Sequence, residues 1–386
     1  MIKIQLLNKI AAVGTDRLPR DRYEVGADIA APDAIMVRSA AMHDMTFDKN
    51  LLAIARCGAG VNNIPVDRCA EEGIVVFNTP GANANGVKEL ALAALILAAR
   101  DVVGGVEWVK TLEGQEDIPK KVEAGKSAYV GNELAGKTLG VIGLGAIGGM
   151  VANTAVHLGM HVIGHDPFLS VNAAWNLSRS IGKAADYAEI FKNADYITLH
   201  VPATKDTKKM INAETIATMK DGVRIINLSR ADLVDAEAMK AALASGKVAS
   251  YVTDFPTNET VGAKGIVNIP HLGASTYESE DNCAVMAADQ LNEYLTTGNI
   301  RNSVNFPAVS IPHTGASRIC CLHKNIPNVL SGITALVSAE GANIENMANG
   351  SRGEYAYTIV ELASPASAET IAKCEQIEGM IRVRMI

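Results

Sequence analysis

Three glycines and one acid carry the clearest chemistry in this 386-residue chain. The apolar run Leu139–Ile142 ends in Gly143, Gly145 and Gly148, spaced G-x-G-x-x-G, and a second apolar run, HVIGH, leads into Asp166. Strand, tight turn, helix, strand and acid, in that order, make a dinucleotide site. Gly143 permits the turn, and Gly145 leaves the backbone bare for a pyrophosphate. Gly148 lets the helix that begins at Ala146 and Ile147 pack close to its strand, with its N-terminal N–H groups facing the phosphates. A carboxylate at Asp166 accepts from both ribose hydroxyls and repels a 2′-phosphate. The expected cofactor is therefore NAD rather than NADP.

Three further side chains have the types needed to oxidise a 2-hydroxy acid. That reaction requires a base for the hydroxyl proton, a cation for the carboxylate and an adjacent hydride acceptor. His271 follows an apolar strand in IPHLGAST, and imidazole titrates near neutrality. Glu259 precedes it by twelve residues, and a carboxylate there would hold one ring N–H and raise the histidine pKa. Arg230 ends the strand RIINLSR with a planar fork that fits a carboxylate. Taken singly, each residue also fits a plainer role: a capping histidine, a solvated glutamate, a surface arginine.

The elements that must position these groups are short apolar runs separated by helices. Residues 1–100 give the strands IKIQLL, AIMVR, LLAIAR and IVVFN, then a helix from about Asn85 to Arg100. Residues 101–284 give LGVIG, HVIGH, YITLH, VRIINL, ASYVTD and IVNIP. Such uninterrupted apolar strands belong in parallel sheets covered by helices on both faces. The expected fold is α/β, with two doubly wound Rossmann-like domains and a small α+β module at the C-terminus. In that module RICCLHK, YAYTIVEL and MIRVRMI are strands, two helices lie between them, and a further strand fits near Asn343–Met347. TTGNIRNSVNFPAVSIPHTGAS reads as a linker and a candidate hinge before Ser317.

Bulk composition narrows the partners. A net charge of −7 and a pI near 5.7 argue against nucleic acid or an anionic membrane. An anionic substrate then needs a local basic pocket. Six cysteines without C-x-x-C or metal-like spacing read as reduced thiols in a cytoplasmic protein, with no metal site. MIKIQLLNKI is not read as a secretory signal. The apolar run LALAALILAA falls well short of the ~20 residues of a membrane span.

Several motifs in order along the chain give it a family resemblance. They are VRSA, CGAGVNNI, FNTPGANANGVKEL, GLGAIG with HDP, LHVP, INLSRADLVD, TDFPTNE, PHLGAST and the tail RICCLHKNIP…EGANIENM. Together they resemble the D-isomer-specific 2-hydroxyacid dehydrogenase family over essentially the whole chain. The tail resembles the branch with a C-terminal ACT domain that oxidises 3-phosphoglycerate in serine biosynthesis. The resemblance implies a substrate domain of residues 1–92 with 285–305, an NAD domain of residues 93–284, a linker of residues 306–314 and an ACT domain of residues 315–386. It puts the active site in the cleft between the two sheets.

Catalysis by resemblance falls to Arg230, Glu259 and His271. Substrate contacts fall to Arg38, Ser39, the loop Gly58, Ala59 and Gly60, and Asn83. Lys88, where alanine is common, is either a phosphate contact or a solvated lysine. Besides the glycine loop and Asp166, cofactor contacts fall to Ala146, Ile147, His200, Pro202, Leu228, Ser229, Arg230, His271, Gly273, Ala274 and Asp254. Asp254 would accept from the nicotinamide carboxamide, or else cap a strand end. The chain departs from the family pattern at Ala231-Asp232, where glycine usually follows the arginine, and at Thr260, where proline usually follows the glutamate.

In the tail, His323, Asn325 and Asn343 match positions that bind serine between two ACT copies. Asn328 replaces a glycine of that motif, which implies altered effector binding or a purely structural module. The partners implied are a phosphorylated 2-hydroxy acid, an amino-acid effector, and further copies in a homodimer or homotetramer. Two other readings use the same residues: a dehydrogenase for glycerate, lactate or 2-hydroxyglutarate, and a non-catalytic NAD-sensing protein.

Overall fold

The apolar runs form two all-parallel sheets, each in its own structural unit. A computed structural model describes residues 1–386 and divides them into residues 1–83 with 277–386, and residues 84–276. In the first unit β1 (Ile2–Leu7), β2 (Tyr23–Gly26), β3 (Ala34–Val37), β4 (Ala53–Arg56) and β5 (Val75–Phe77) line up as β2-β1-β3-β4-β5. β3 and β5 are buried along their whole length, as a sheet covered on both faces requires. β2 escapes the sequence reading because YEVG is four residues with only two apolar side chains.

In the second unit β6 (Thr138–Ile142), β7 (His161–His165), β8 (Ile181–Lys183), β9 (Tyr196–Leu199), β10 (Val223–Asn227), β11 (Val248–Thr253) and β12 (Ile266–Asn268) line up as β12-β11-β10-β9-β6-β7-β8. The order reverses between β6 and β9, the switch point at which open α/β sheets bind ligands. The chain passes between units at 83/84 and 276/277, not at 92/93 and 284/285. The cause is packing. Helix Ala84–Ala99 buries Ala91, Ala94 and Leu95 with Leu139, Val141 and Val252 of the second sheet. Helix Tyr277–Thr297 buries Ala287, Leu291 and Tyr294 with Ile4 and Phe77 of the first.

The C-terminal strands β13 (Ser317–Lys324), β14 (Ile344–Arg352), β15 (Tyr355–Leu362) and β16 (Met380–Met385) form an antiparallel sheet in the order β14-β15-β13-β16. Alternate residues of β13 serve two cores. Ile319 and Cys321 pack with Val329, Ile333 and Val337 of helix Val329–Ala339. Cys320 and Leu322 join the core built by Ile4, Phe77, Leu291 and Tyr294. The sheet is thus part of the first unit. The segment expected to be a free hinge is packed as well: Phe306 is fully buried, Val309 is buried, and Ile300 bridges Val309.

One charged cluster fixes this arrangement. Arg318 and Glu361 are both fully buried and form an ion pair. The Arg318 guanidinium also donates to the carbonyl of Thr297, to Asn299 Oδ1 at 3.0 Å, and to the carbonyls of Ile311 and Pro312 at 3.0 and 2.9 Å. Glu361 accepts from Gly315 N at 3.0 Å and shares a hydrogen bond with His313 Nδ1 at 3.2 Å. Burial pushes the Glu361 carboxyl up, but the bonds from Arg318, Gly315 and His313 outweigh it and hold it below its ordinary value.

Removing one partner would leave a buried charge unmatched. Arg318→Met is expected to cost about 3–5 kcal/mol in denaturant unfolding, and adding Glu361→Leu should recover much of it. Because the Glu361 value is depressed, its contribution is fully present above the ordinary glutamate value of 4.5 and is lost as pH falls through the depressed one. A loss below about 1 kcal/mol, the worth of an exposed pair, would show that the cluster does not hold the sheet in place.

Candidate active site

At the switch point of the second unit the glycine loop is shaped for a phosphate. Gly143 N donates to the carbonyl of His165, and His200 N to that of Ile142, so the ends of β6, β7 and β9 are tied together. Helix Ala146–His157 starts directly at the loop. A Cβ on Gly148 would run into the Gly143 carbonyl, whereas a Cβ on Gly145 would project into open space at the helix N-terminus. That is the cradle a side chain would fill and a pyrophosphate can use. Asp166 is half-buried, and its two oxygens accept from Leu144 N and Phe168 N, each at 2.9 Å. It therefore orients the glycine loop, and each oxygen keeps a second lone pair for ribose hydroxyls.

His200 shares a hydrogen bond from Nε2 with Thr198 Oγ1 at 2.9 Å, and its buried Nδ1 has no partner. Burial lowers its pKa to about 4, so the ring is neutral near pH 7. Pro202 lies exposed just beyond, its carbonyl accepting from Thr207 Oγ1.

The proposed catalytic groups stand past the C-terminal ends of β10, β11 and β12. Asp254 is 1% exposed. Its Oδ2 accepts from Gly273 N at 3.2 Å, while Oδ1 is buried with no partner. Burial raises its carboxyl pKa, opposed by the Gly273 bond and by the charges of His271 and Arg230. A buried oxygen without a donor fits the amide of a nicotinamide. His271 N donates to the Asp254 carbonyl at 3.1 Å, and the His271 ring is exposed. Phe255 touches both functional groups: its ring centroid is 4.6 Å from that of His271 and 5.8 Å from the Arg230 guanidinium carbon.

Asn227, fully buried, sets the Arg230 backbone from both sides. Its Oδ1 accepts from Ser229 N and Arg230 N, and its Nδ2 donates to the Arg230 carbonyl. Leu228 is buried in the core below. Sequence reasoning missed Phe255 and Asn227, although each sits within three residues of a motif residue that it did find.

Glu259 does not meet His271 in this structure. Its exposed carboxylate bonds to Thr257, which holds its pKa below the usual value. It lines a recess of about 290 Å³ with Lys209, Asp232, Tyr251 and Phe255. The carbonyl of Asp232 accepts from Lys209 N at 2.7 Å. Lys88 follows Val87, which lies against Gly273, and its ammonium is 3.8 Å from Glu89. Ala274, half-buried, packs against the core of this unit.

In the first unit, the loops past β3 and β4 carry the other candidates. Asn8, at φ 80°, places its Oδ1 to accept from the backbone N–H groups of Arg38, Ser39 and Ala40 at 3.3, 3.0 and 2.9 Å. One side chain thus shapes the whole Arg38–Ser39 turn, a role the sequence did not reveal. Arg38 pairs with Glu280 at 2.6 Å. Gly58 is held by its carbonyl to Thr79 N, and the carbonyl of Ala59 accepts from Asn78 Nδ2. Gly60 and Asn83 are half-buried.

The candidate effector residues differ in exposure. His323 is 3% exposed, and its ring nitrogens are engaged by the Lys324 carbonyl and Thr358 Oγ1. Asn325 Nδ2 donates to the Gly353 carbonyl, and Asn343 is exposed. Asn328 adopts φ 70°, the left-handed conformation that explains glycine at this motif position.

Residues 92–277 match the family model "D-isomer specific 2-hydroxyacid dehydrogenase, NAD binding domain". The chain is 33% identical over 366 residues to the putative D-3-phosphoglycerate dehydrogenase of Schizosaccharomyces pombe, covering 87% of this chain and 74% of that one. It is 37% identical over 297 residues to the hydroxypyruvate reductase of Thermotoga maritima, covering 73% of this chain and 90% of that one. The NAD⁺-bound 3-phosphoglycerate dehydrogenase of Entamoeba histolytica superposes with a TM-score of 0.60 at 26% identity, covering 79% and 98% of the two chains. The protein belongs to the D-isomer-specific 2-hydroxyacid dehydrogenase family, and its second unit is that family's NAD-binding domain. No helix is long and apolar enough to cross a membrane.

Asp166 should govern cofactor choice through both of its contacts. Asp166→Ala removes a charged acceptor for the ribose and the anchor of Leu144, each a charge-assisted bond of about 1.5–3 kcal/mol. The ratio of kcat/KM for NAD over NADP is expected to fall by about tenfold or more. A wild-type enzyme that uses both cofactors equally would contradict this assignment.

Proposed function

We propose that the protein oxidises 3-phosphoglycerate to 3-phosphohydroxypyruvate with NAD, as a step of serine biosynthesis. The observation that carries the chemistry is the placement of His271 and Arg230 against the Phe255 ring, near Asp254 with its unpartnered oxygen. The substrate assignment is supported by the name of the Schizosaccharomyces pombe relative. A second reading, a dehydrogenase for an unphosphorylated 2-hydroxy acid, is favoured by the hydroxypyruvate reductase that this chain spans over 90% of its length. A non-catalytic NAD sensor would need neither Arg230 nor His271.

In this proposal Arg230 grips the substrate carboxylate through its fork, which fixes C2 and its hydroxyl relative to His271. The His271 ring withdraws the hydroxyl proton as the C–H bond at C2 breaks, and the product is the 2-keto acid. NAD supplies the hydride acceptor when bound, with Gly145, Asp166 and Asp254 as its holders. Arg38, Ser39, Gly58, Ala59, Gly60, Asn83 and Lys88 are the substrate contacts. Glu259 stays ionised at neutral pH, and in the substrate complex it turns to His271 and stabilises the imidazolium. Six free, buried cysteines fit the cytoplasm.

His271→Ala should lower kcat by roughly 10²–10⁴-fold. Glu259→Gln should lower kcat, because the imidazolium formed in the reaction loses its carboxylate partner. Steady-state rates across phosphorylated and unphosphorylated 2-hydroxy acids decide between the two substrate readings. Faster turnover of glycerate than of 3-phosphoglycerate would overturn the first.

The C-terminal βαββαβ module is proposed to be an ACT domain whose exposed edge β14 pairs with a second copy, giving a homodimer or homotetramer. Because His323 is sealed by Lys324 and Thr358, serine inhibition is expected to be weak or absent. Asn328→Gly keeps the left-handed backbone, removes the side chain from the space beside the effector and should strengthen inhibition. Serine titration of the reaction rate in both proteins is the check. Potent inhibition of the wild type that the variant leaves unaltered would refute this role for Asn328.

A further inference from the structure

Tyr251 lies in β11 with 3% of its surface exposed, and its ring belongs to the core of the second unit. Its hydroxyl accepts from Asn227 Nδ2 at 3.2 Å. Thr253, two residues on along the same face of the strand, meets the same hydroxyl. Burial raises the Tyr251 pKa, so the group keeps its proton near neutral pH and can donate as well as accept.

Asn227 needs that acceptor. A carboxamide has two N–H groups and two lone pairs on its oxygen. The oxygen takes Ser229 N at 3.1 Å and Arg230 N at 3.3 Å, and one N–H goes to the Arg230 carbonyl at 2.8 Å. Tyr251 is the partner of the other. Without it a fully buried N–H would go unpaired, at a cost of about 1–3 kcal/mol. The turn held in this way holds the guanidinium in its place, because Arg230 Nη1 donates to the Ser229 carbonyl at 2.6 Å. On the other side, Thr253 Oγ1 accepts from Phe255 N at 3.1 Å, and the Phe255 ring touches both Arg230 and His271. One hydroxyl therefore stands between the turn that carries the carboxylate fork and the turn that carries Phe255.

We propose that Tyr251 is a positioning residue: through Asn227 it fixes the direction of the Arg230 guanidinium, and so sets how tightly the enzyme grips the carboxylate of its substrate. Tyr251 itself touches no reacting atom. A misdirected fork keeps its charge and loses one of the two parallel bonds that make a guanidinium selective for a carboxylate. This rests on the proposed role of Arg230 as carboxylate anchor, but not on which 2-hydroxy acid is the substrate.

The test uses the full chain with NADH bound, into which oxamate, an unreactive analogue of a 2-keto acid, is titrated calorimetrically. Steady-state kinetics with 3-phosphoglycerate and glycerate run alongside. Tyr251→Phe deletes only the hydroxyl and is expected to weaken oxamate binding by about 3- to 10-fold, the net worth of one hydrogen bond. KM for the 2-hydroxy acid should rise in parallel, with NADH affinity near that of the wild type. Tyr196→Phe is the structural control: it deletes a buried hydroxyl that has no partner, and should leave oxamate binding unaltered. Circular dichroism confirms that both variants fold. Oxamate binding in folded Tyr251→Phe that matches the wild type overturns the proposal. So does an equal loss of oxamate and NADH binding, which marks a general loosening of the unit. A wild type that binds no oxamate refutes both this role and the carboxylate anchor. Oxamate binding that depends on Tyr251, in a wild type that turns over neither acid, supports the positioning role and refutes the proposed reaction instead.

Discussion

Arg318 donates to four carbonyl or amide oxygens besides Glu361, and this full satisfaction is what lets a charge lie completely out of water. The same constraint bears on the buried polar atoms that lack a partner, some in the core, as at Tyr196 and Gln290, and some at the candidate site. Where a side chain is buried and saturated, it holds elements together. Where it is buried and unsaturated, as at Asp254 Oδ1, His200 Nδ1 and Arg56 Nε, the protein tolerates a cost that a ligand would remove. All three atoms belong to residues at or just past the C-terminal end of a parallel strand, where loops leave the sheet and ligands bind in such folds.

The candidate groups were legible because their types are rare in their settings. A histidine, an arginine or an acid at the end of an apolar strand stands out against a covered sheet. The residues that hold them were not legible. Asn8 and Asn227 act through single oxygens that gather two or three backbone N–H groups each, and an asparagine in a loop is ordinary in any sequence. Phe255 reads as one more apolar residue until its ring is seen in contact with both His271 and Arg230.

The unit boundaries show a second limit. Helix Ala84–Ala99 is apolar on so much of its surface that its pattern says it is buried, not which sheet buries it. Its partner is decided by non-local packing against Leu139, Val141 and Val252. The tail fails in the opposite sense. Prolines, glycines and asparagines between residues 298 and 315 are the composition of a flexible linker, yet Phe306 and Val309 anchor that stretch in the core. Two apolar residues outweigh the composition around them because each removes a large surface from water.

That packing changes what regulation would have to do. A C-terminal sheet joined by a free hinge could shift at little cost when an effector arrived. Here β13 and β15 are buried on both faces, and the connection is closed by the Arg318–Glu361 cluster. Any movement of the sheet against β1 and β5 would expose Cys320, Leu322, Tyr357 and Ile359 together with a buried ion pair. An effector shifts an equilibrium only by its differential affinity for the two states, commonly 1–3 kcal/mol. Breaking the ion pair alone is of that size or larger. Control through this module would therefore act on the surfaces that remain free, chiefly the exposed edge β14, rather than by swinging the module away from the substrate unit.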